Sequence, residues 1–123
     1  MDDGYNKELV FDSVKKMIGF TKDYEAFDLD LLTEINSIFV ILYQIGVDEV
    51  STIDENTTWA SLNLTPETLN LVKSYVVAKC RLAFDPPQSG ILKETLKDRI
   101  SELEFRINVS ADHGLPDEEN ENE

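Results

Sequence analysis

The chain has 123 residues, a formal net charge of −14 and one cysteine. A chain of this length suits one domain with a modest core, and its acid excess argues against free binding to DNA phosphates, where affinity comes from Lys and Arg displacing counterions. Cys80 alone builds no disulfide framework and fits a reducing compartment, while the acidic start MDDGYNKELVFDSV lacks the basic and apolar regions of a signal peptide.

The first predicted helix covers about Lys7 to Ile18. Val10, Val14, Met17 and Ile18 fall at helical spacing, with Leu9 beside them, and Gly19 stops the run. A polar loop, FTKDYEAFD, follows. Its aromatics Phe20, Tyr24 and Phe27 are expected to close one end of the core; the alternative is an exposed aromatic contact.

The second helix is predicted from about Asp28 to Ile45, with Asp28 as its N-cap and Asp30 in the first turn. The series Leu31, Ile35, Ile38, Leu42, Ile45 steps by 4, 3, 4, 3. Leu32, Phe39 and Tyr43 widen this stripe, and Val40 and Ile41 carry it nearly all round. A helix apolar on most sides is either central to its own domain or shared with a neighbouring subunit. The run Ile38 to Tyr43 is far shorter than the roughly 20 residues that cross a bilayer. Gly46 ends the helix.

Residues 47 to 64 are the least regular part. Val50 to Ile53 reads as a short strand or an extended segment, and Trp59 and Leu62 are expected to pin the loop to the helices. The third helix has a clear start, with Thr65 as N-cap, Pro66 in the first helical position and Glu67 in the first turn. Leu69, Val72, Val76, Cys80 and Ala83 share one face, and Leu71, Tyr75, Ala78 and Leu82 the next. The helix must stop by Phe84 or Asp85, because Pro86 and Pro87 each push the preceding residue out of the helical region.

Ser89 is placed to cap a fourth helix, predicted to run to about Ile107. Leu92, Leu96, Ile100, Leu103 and Ile107 form its apolar stripe, and Lys93, Glu94, Lys97, Asp98, Glu102 and Arg106 its charged side. Such one-sidedness puts the helix on the outside of the bundle. Phe105 falls off the stripe and reads either as an exposed anchor or as packing. From Ser110 to Glu123 only Ala111 and Leu115 are apolar, against six acids and no Lys or Arg. That composition cannot offset its ordering entropy, so the chain divides into a helical domain, residues 1–109, and a disordered acidic tail, residues 110–123. Without the tail, 19 acidic and 11 basic residues remain. The predicted fold is therefore all-α: a four-helix bundle with one irregular loop and an acidic tail.

No catalytic constellation emerges. His113, the sole histidine, lies in the expected tail with no partner for a triad or metal site. Cys80 sits on an apolar face as a small hydrophobe. No phosphate-cradling glycine motif occurs. Asp28, Asp30 and Glu34 start like a calcium loop, but they lack its central glycine and distal glutamate. Asp48, Glu49, Asp54 and Glu55 cluster with no sign of the cleft that would set their pKa values apart. No enzyme activity and no cofactor are expected.

Three stretches together carry a resemblance. They are VKKMIGFTKDYEAFDLDLLTEINSIFVILYQIGV from Val14 to Val47, the lone Trp59 in its loop, and VKSYVVAKCRLAFDPPQSGILKETLKDRISELEFRI from Val72 to Ile107. Over roughly residues 8 to 108 the chain resembles the head–tail connector, or adaptor, proteins of tailed bacteriophages. The most specific matches are the turn Phe84-Asp85-Pro86-Pro87 and the ending Glu102-Leu103-Glu104-Phe105-Arg106. The resemblance implies a structural virion protein made in the host bacterial cytoplasm. It would form a ring, commonly dodecameric, under the portal protein, and could be a monomer alone. That ring would extend the DNA channel without binding DNA specifically, and would dock tail, stopper or head-completion proteins, with no membrane partner. Phe84, Asp85, Pro86, Pro87, Leu103, Phe105 and Arg106 are the candidate partner or subunit contacts. The competing readings are an acidic DNA-mimic inhibitor, suggested by the net charge, and a transient helical assembly factor.

Overall fold

The computed structural model describes residues 7–47 and 52–114. Among the described residues four α-helices follow one another: α1 (Val10–Met17), α2 (Asp28–Gln44), α3 (Pro66–Phe84) and α4 (Gly90–Gly114), with a 3-10 turn at Ala60–Leu62 before α3. Among the described residues there is no strand, only an isolated antiparallel bridge between Leu9 and Thr58. The chain is all-α, as its periodicities require.

The predicted apolar rows account for the core. Val10, Val14, Leu31, Ile35, Ile38, Leu42, Val72, Tyr75, Val76, Cys80 and Ile107 are fully enclosed. Each large aliphatic side chain among them contributes about 1.5–3 kcal/mol relative to an exposed one. Two rows depart from expectation at their ends. Met17 stays exposed while Phe11 takes the inward place on α1. Leu92 is 59% exposed and the inward stripe of α4 begins at Leu96, half-buried against the core. The reason lies across the interface, because α3 stops at Phe84 and leaves the first turn of α4 without an opposing helix.

The helix starts show how local chemistry sets the boundaries. Thr65 Oγ1 accepts the Thr68 backbone N–H at 3.2 Å, and Pro66 occupies the first helical position. Ser89 Oγ accepts the Leu92 N–H at 3.3 Å, and the Ser89 carbonyl accepts the Lys93 N–H at 3.0 Å. Asp28, predicted as an N-cap, is instead the first residue of α2; Phe27 holds the cap position without a side-chain bond. Asp28 turns to Lys15, whose buried Nζ lies 2.8 Å from Asp28 Oδ1 and donates to the Lys22 carbonyl at 3.1 Å. A buried ammonium needs such partners more than a helix end, open to water, needs a cap.

The irregular loop is pinned as expected, by named bonds. Trp59 is 1% exposed and its Nε1–H donates to Ser13 Oγ at 3.1 Å. Asn36 on α2 accepts the Ile53 N–H at 2.7 Å and donates to the Ile53 carbonyl at 3.1 Å, replacing a strand partner with a side-chain amide. Val50 and Ser51, part of the possible strand, lie outside the described residues.

The last helix runs to Gly114, seven residues past its predicted end at Ile107. Small residues explain the extension. Ser110 Oγ lies 2.6 Å from Thr68 Oγ1, and Asn108 Nδ2 donates to the Ile45 carbonyl at 2.8 Å. Ala111 lies so near Gly46 that a Cβ at Gly46 would come within 2.8 Å of its own. The first five residues of the expected tail thus belong to α4, and residues 115–123 lie outside the described residues.

Candidate functional site

The joint between α3 and α4 gathers most of the predicted contact residues. Phe84 ends α3. Asp85 leaves the helix at φ −151, ψ 61, while its N–H still bonds the Arg81 carbonyl at 2.8 Å. Pro86 is exposed and Pro87 half-buried. Beyond the joint α4 folds back antiparallel and makes its most extensive contacts with α3, as a helical bundle requires. The prolines therefore act within a five-residue reversal.

Phe84 joins the three loop aromatics. The Phe20 ring centroid lies 5.6 Å from Tyr24, 5.8 Å from Phe27 and 6.5 Å from Phe84, and Phe27 lies 6.4 Å from Phe84. These separations are those of mutually attractive aromatic pairs. Phe20 closes the end of the core, but Tyr24 and Phe27 remain 45% and 41% exposed. The packing reading therefore holds for Phe20, while Tyr24 and Phe27 stay partly at the surface. No periodicity signals that Phe84 meets a loop more than fifty residues earlier. Close by, Met17 offers its carbonyl to Arg81 Nη2 at 2.8 Å while its side chain faces solvent. Ile91 and Leu92, on the first turn of α4, are also exposed. This end of the bundle is an apolar surface with the joint at its rim.

The second group of predicted contacts is separate. Fifteen residues of helix divide Gly90 from Phe105, about 22 Å at 1.5 Å per residue. Phe105 is 69% exposed, which resolves its two readings in favour of the surface. Arg106 faces solvent and pairs with Glu102 at 2.9 Å. Leu103 is 2% exposed and belongs to the core of the single chain.

The titratable groups are arranged for stability. Tyr75 donates to Glu104 Oε2 at 2.6 Å, and burial, helped by that bond and the nearby carboxylate, pushes the phenol well above its ordinary value. Burial also pushes the Cys80 thiol up to about 12, with the Glu34 carboxylate adding and Lys79 opposing. A thiol held protonated in an apolar site is a poor nucleophile. Among the described residues no three His, Cys, Asp or Glu side chains are placed to hold a metal ion. No described helix is long and apolar enough to cross a membrane.

The described chain is thus a helical bundle with an uncovered apolar end and with its polar groups arranged for packing. The match to known families makes this specific: the model of the phage connector protein family covers residues 10–114, and the chain belongs to that family. The family is one of structural proteins of the bacteriophage head–tail connection. No curated protein and no solved structure matches the chain.

Proposed function

We propose that this chain is a head–tail connector subunit of the virion. Copies assemble as a ring beneath the portal, extend the DNA channel and present the surface on which the tail or a stopper protein docks. One observation carries the reading beyond the family: the core closes within the single chain, yet large apolar side chains remain outside it. Tyr24, Phe27, Ile91 and Leu92 cover the joint end, while Leu29, Val40 and Tyr43 lie along the outer side of α2. A row on a helix flank and a patch at a bundle end suit contacts to two different neighbours, as a head-to-tail ring and its docking partner require. The net charge of −14 suits a channel through which DNA passes without being held. On α4 the acids are interspersed with Lys93, Lys97, Arg99 and Arg106, which gives no support to a phosphate-mimicking stripe.

Native mass spectrometry of the protein, alone and with its portal, tests this reading. A ring should appear on the portal, and Pro86→Ala with Pro87→Ala should lower its yield, because the chain would no longer be held extended at the rim of the docking end. Absence of the chain from purified virions would overturn the reading.

A further inference from the structure

Asp and Glu outnumber Lys and Arg in this chain by 25 to 11, so a hollow free of carboxylates is unexpected. A hollow beside α1 mixes Lys7, Lys15, Lys16 and Lys22 with Glu8 and Asp12, and its buried Lys15 is already paired with Asp28. A second groove, of about 460 Å³ between α1, α3 and α4, does not mix them. Lys73, Arg81 and Arg99 line it, over apolar Met17, Val77 and Leu96, and among the described residues no Asp or Glu does. Among the described residues Arg99 makes no ion pair, and Arg81 meets Asp85 only at 3.6 Å with both side chains partly in solvent. The groove combines an apolar floor with guanidinium groups that present several donors to a carboxylate.

The geometry points to residues 115–123 of the same chain as its occupant. That segment reads LPDEENENE: Leu115 and Pro116, then Asp117, Glu118, Glu119, Glu121 and Glu123 among asparagines. It leaves α4 at Gly114, four residues past Ser110, at the end of the bundle where α3 begins. Ser110 is bonded to Thr68, and Asn70, two residues further along α3, is the first α3 residue of the lining. From Asn70 the groove follows α3 to Arg81, about 16 Å at the helical rise. Nine extended residues reach up to about 30 Å, enough to run its whole length. A short tether holds the carboxylates at an effective concentration in the millimolar range, so weak individual contacts suffice to occupy the site. That advantage favours the chain's own segment over a segment from a second copy. The docked state is sensitive to salt, because its ionic contacts lie near solvent. The proposal does not depend on the connector reading.

Paramagnetic relaxation in the full-length protein tests it. A nitroxide at Asn122→Cys labels the segment alone, since the Cys80 thiol is buried. At low ionic strength the amides of Lys73, Val77, Arg81 and Arg99 should broaden several-fold more than those of Ile35 and Leu42 in α2. The broadening should collapse when Asp117, Glu118, Glu119, Glu121 and Glu123 become amides, and also in Arg99→Gln, whose exposed side chain can change without disturbing the fold. Equal broadening at the groove and at α2 would overturn the proposal. So would broadening that persists in the neutralised segment. A mixture of spin-labelled unlabelled-nitrogen protein and nitrogen-15 protein should show none; broadening confined to that mixture would assign the groove to a neighbouring copy and overturn the intramolecular contact.

Discussion

Gly46 shows how much of the fold can rest on one missing carbon. Its φ of +121 suits glycine, and a Cβ there would come within 2.8 Å of the Ala111 Cβ. Gly46→Ala should therefore cost about 1–3 kcal/mol, combining backbone strain with overpacking, and should loosen the last turns of α4. Urea unfolding measures the loss, and Ala111→Gly should restore only the steric share. Cys80 makes the opposite case, a reactive group rendered inert. Its protonated form is favoured in the folded state, with the thiol at about 12 against an ordinary 9.0. Tyr75 is shifted in the same direction. A group whose folded pKa is raised contributes stability that is fully present below its unfolded value and is lost as pH rises toward the folded one. The chain should thus lose stability to urea from about pH 9 upward. At pH 8 the native thiol should react with an aromatic disulfide about 1000-fold more slowly than the unfolded one, from protonation alone. Comparable rates in the two states would contradict the buried placement. The apolar placement of Cys80 is legible in the sequence; Gly46 is visible as a helix stop, but its close neighbour is 65 residues distant.

At the scale of elements, sequence and structure agree where the deciding forces are local. Thr65-Pro66-Glu67 sets the start of α3, and Asp85-Pro86-Pro87 its end, through bonds and sterics that act over four residues. The disagreements arise where a distant partner decides. Asp28 abandons the cap position for Lys15, Leu92 finds no helix opposite it, and α4 outruns its apolar stripe because Asn108, Ser110 and Ala111 find partners at Ile45, Thr68 and Gly46. The same distinction orders the stability of the elements. α3 and α4 share the most extensive helix contact across a short reversal, whereas α1 spans eight residues and meets α2 and α3 more sparingly. Its outer end is tied to the loop through Val10 N–H to Thr57 O at 2.9 Å and Trp59 N–H to Glu8 O at 3.2 Å. Contacts of such long sequence separation close late, and sparsely packed units open first. Amide hydrogen exchange should release α1 ahead of the buried turns of α3; equal protection in both would show that the bundle opens only as a whole.

Across the whole molecule, the rim of the candidate site was legible and its body was not. Phe84-Asp85-Pro86-Pro87 announces a rigid stop in the sequence itself. The surface beside it is assembled from Met17, Tyr24, Phe27, Ile91 and Leu92, which come from three separate stretches and look like core residues until the packing leaves them outside. The cationic groove is hidden for the same reason, since Arg81 and Arg99 belong to different helices. One consequence concerns α4 as a mechanical part. Two side-chain bonds, Thr68 to Ser110 and Tyr75 to Glu104, fix its register on α3, so a slip of a single helical turn would break both. Both bonds lie in its second half, and Ile100, Leu103 and Ile107 are buried, so α4 is clamped along α3 rather than free to swing. The helix is a fixed strut that holds the joint patch and Phe105 about 22 Å apart.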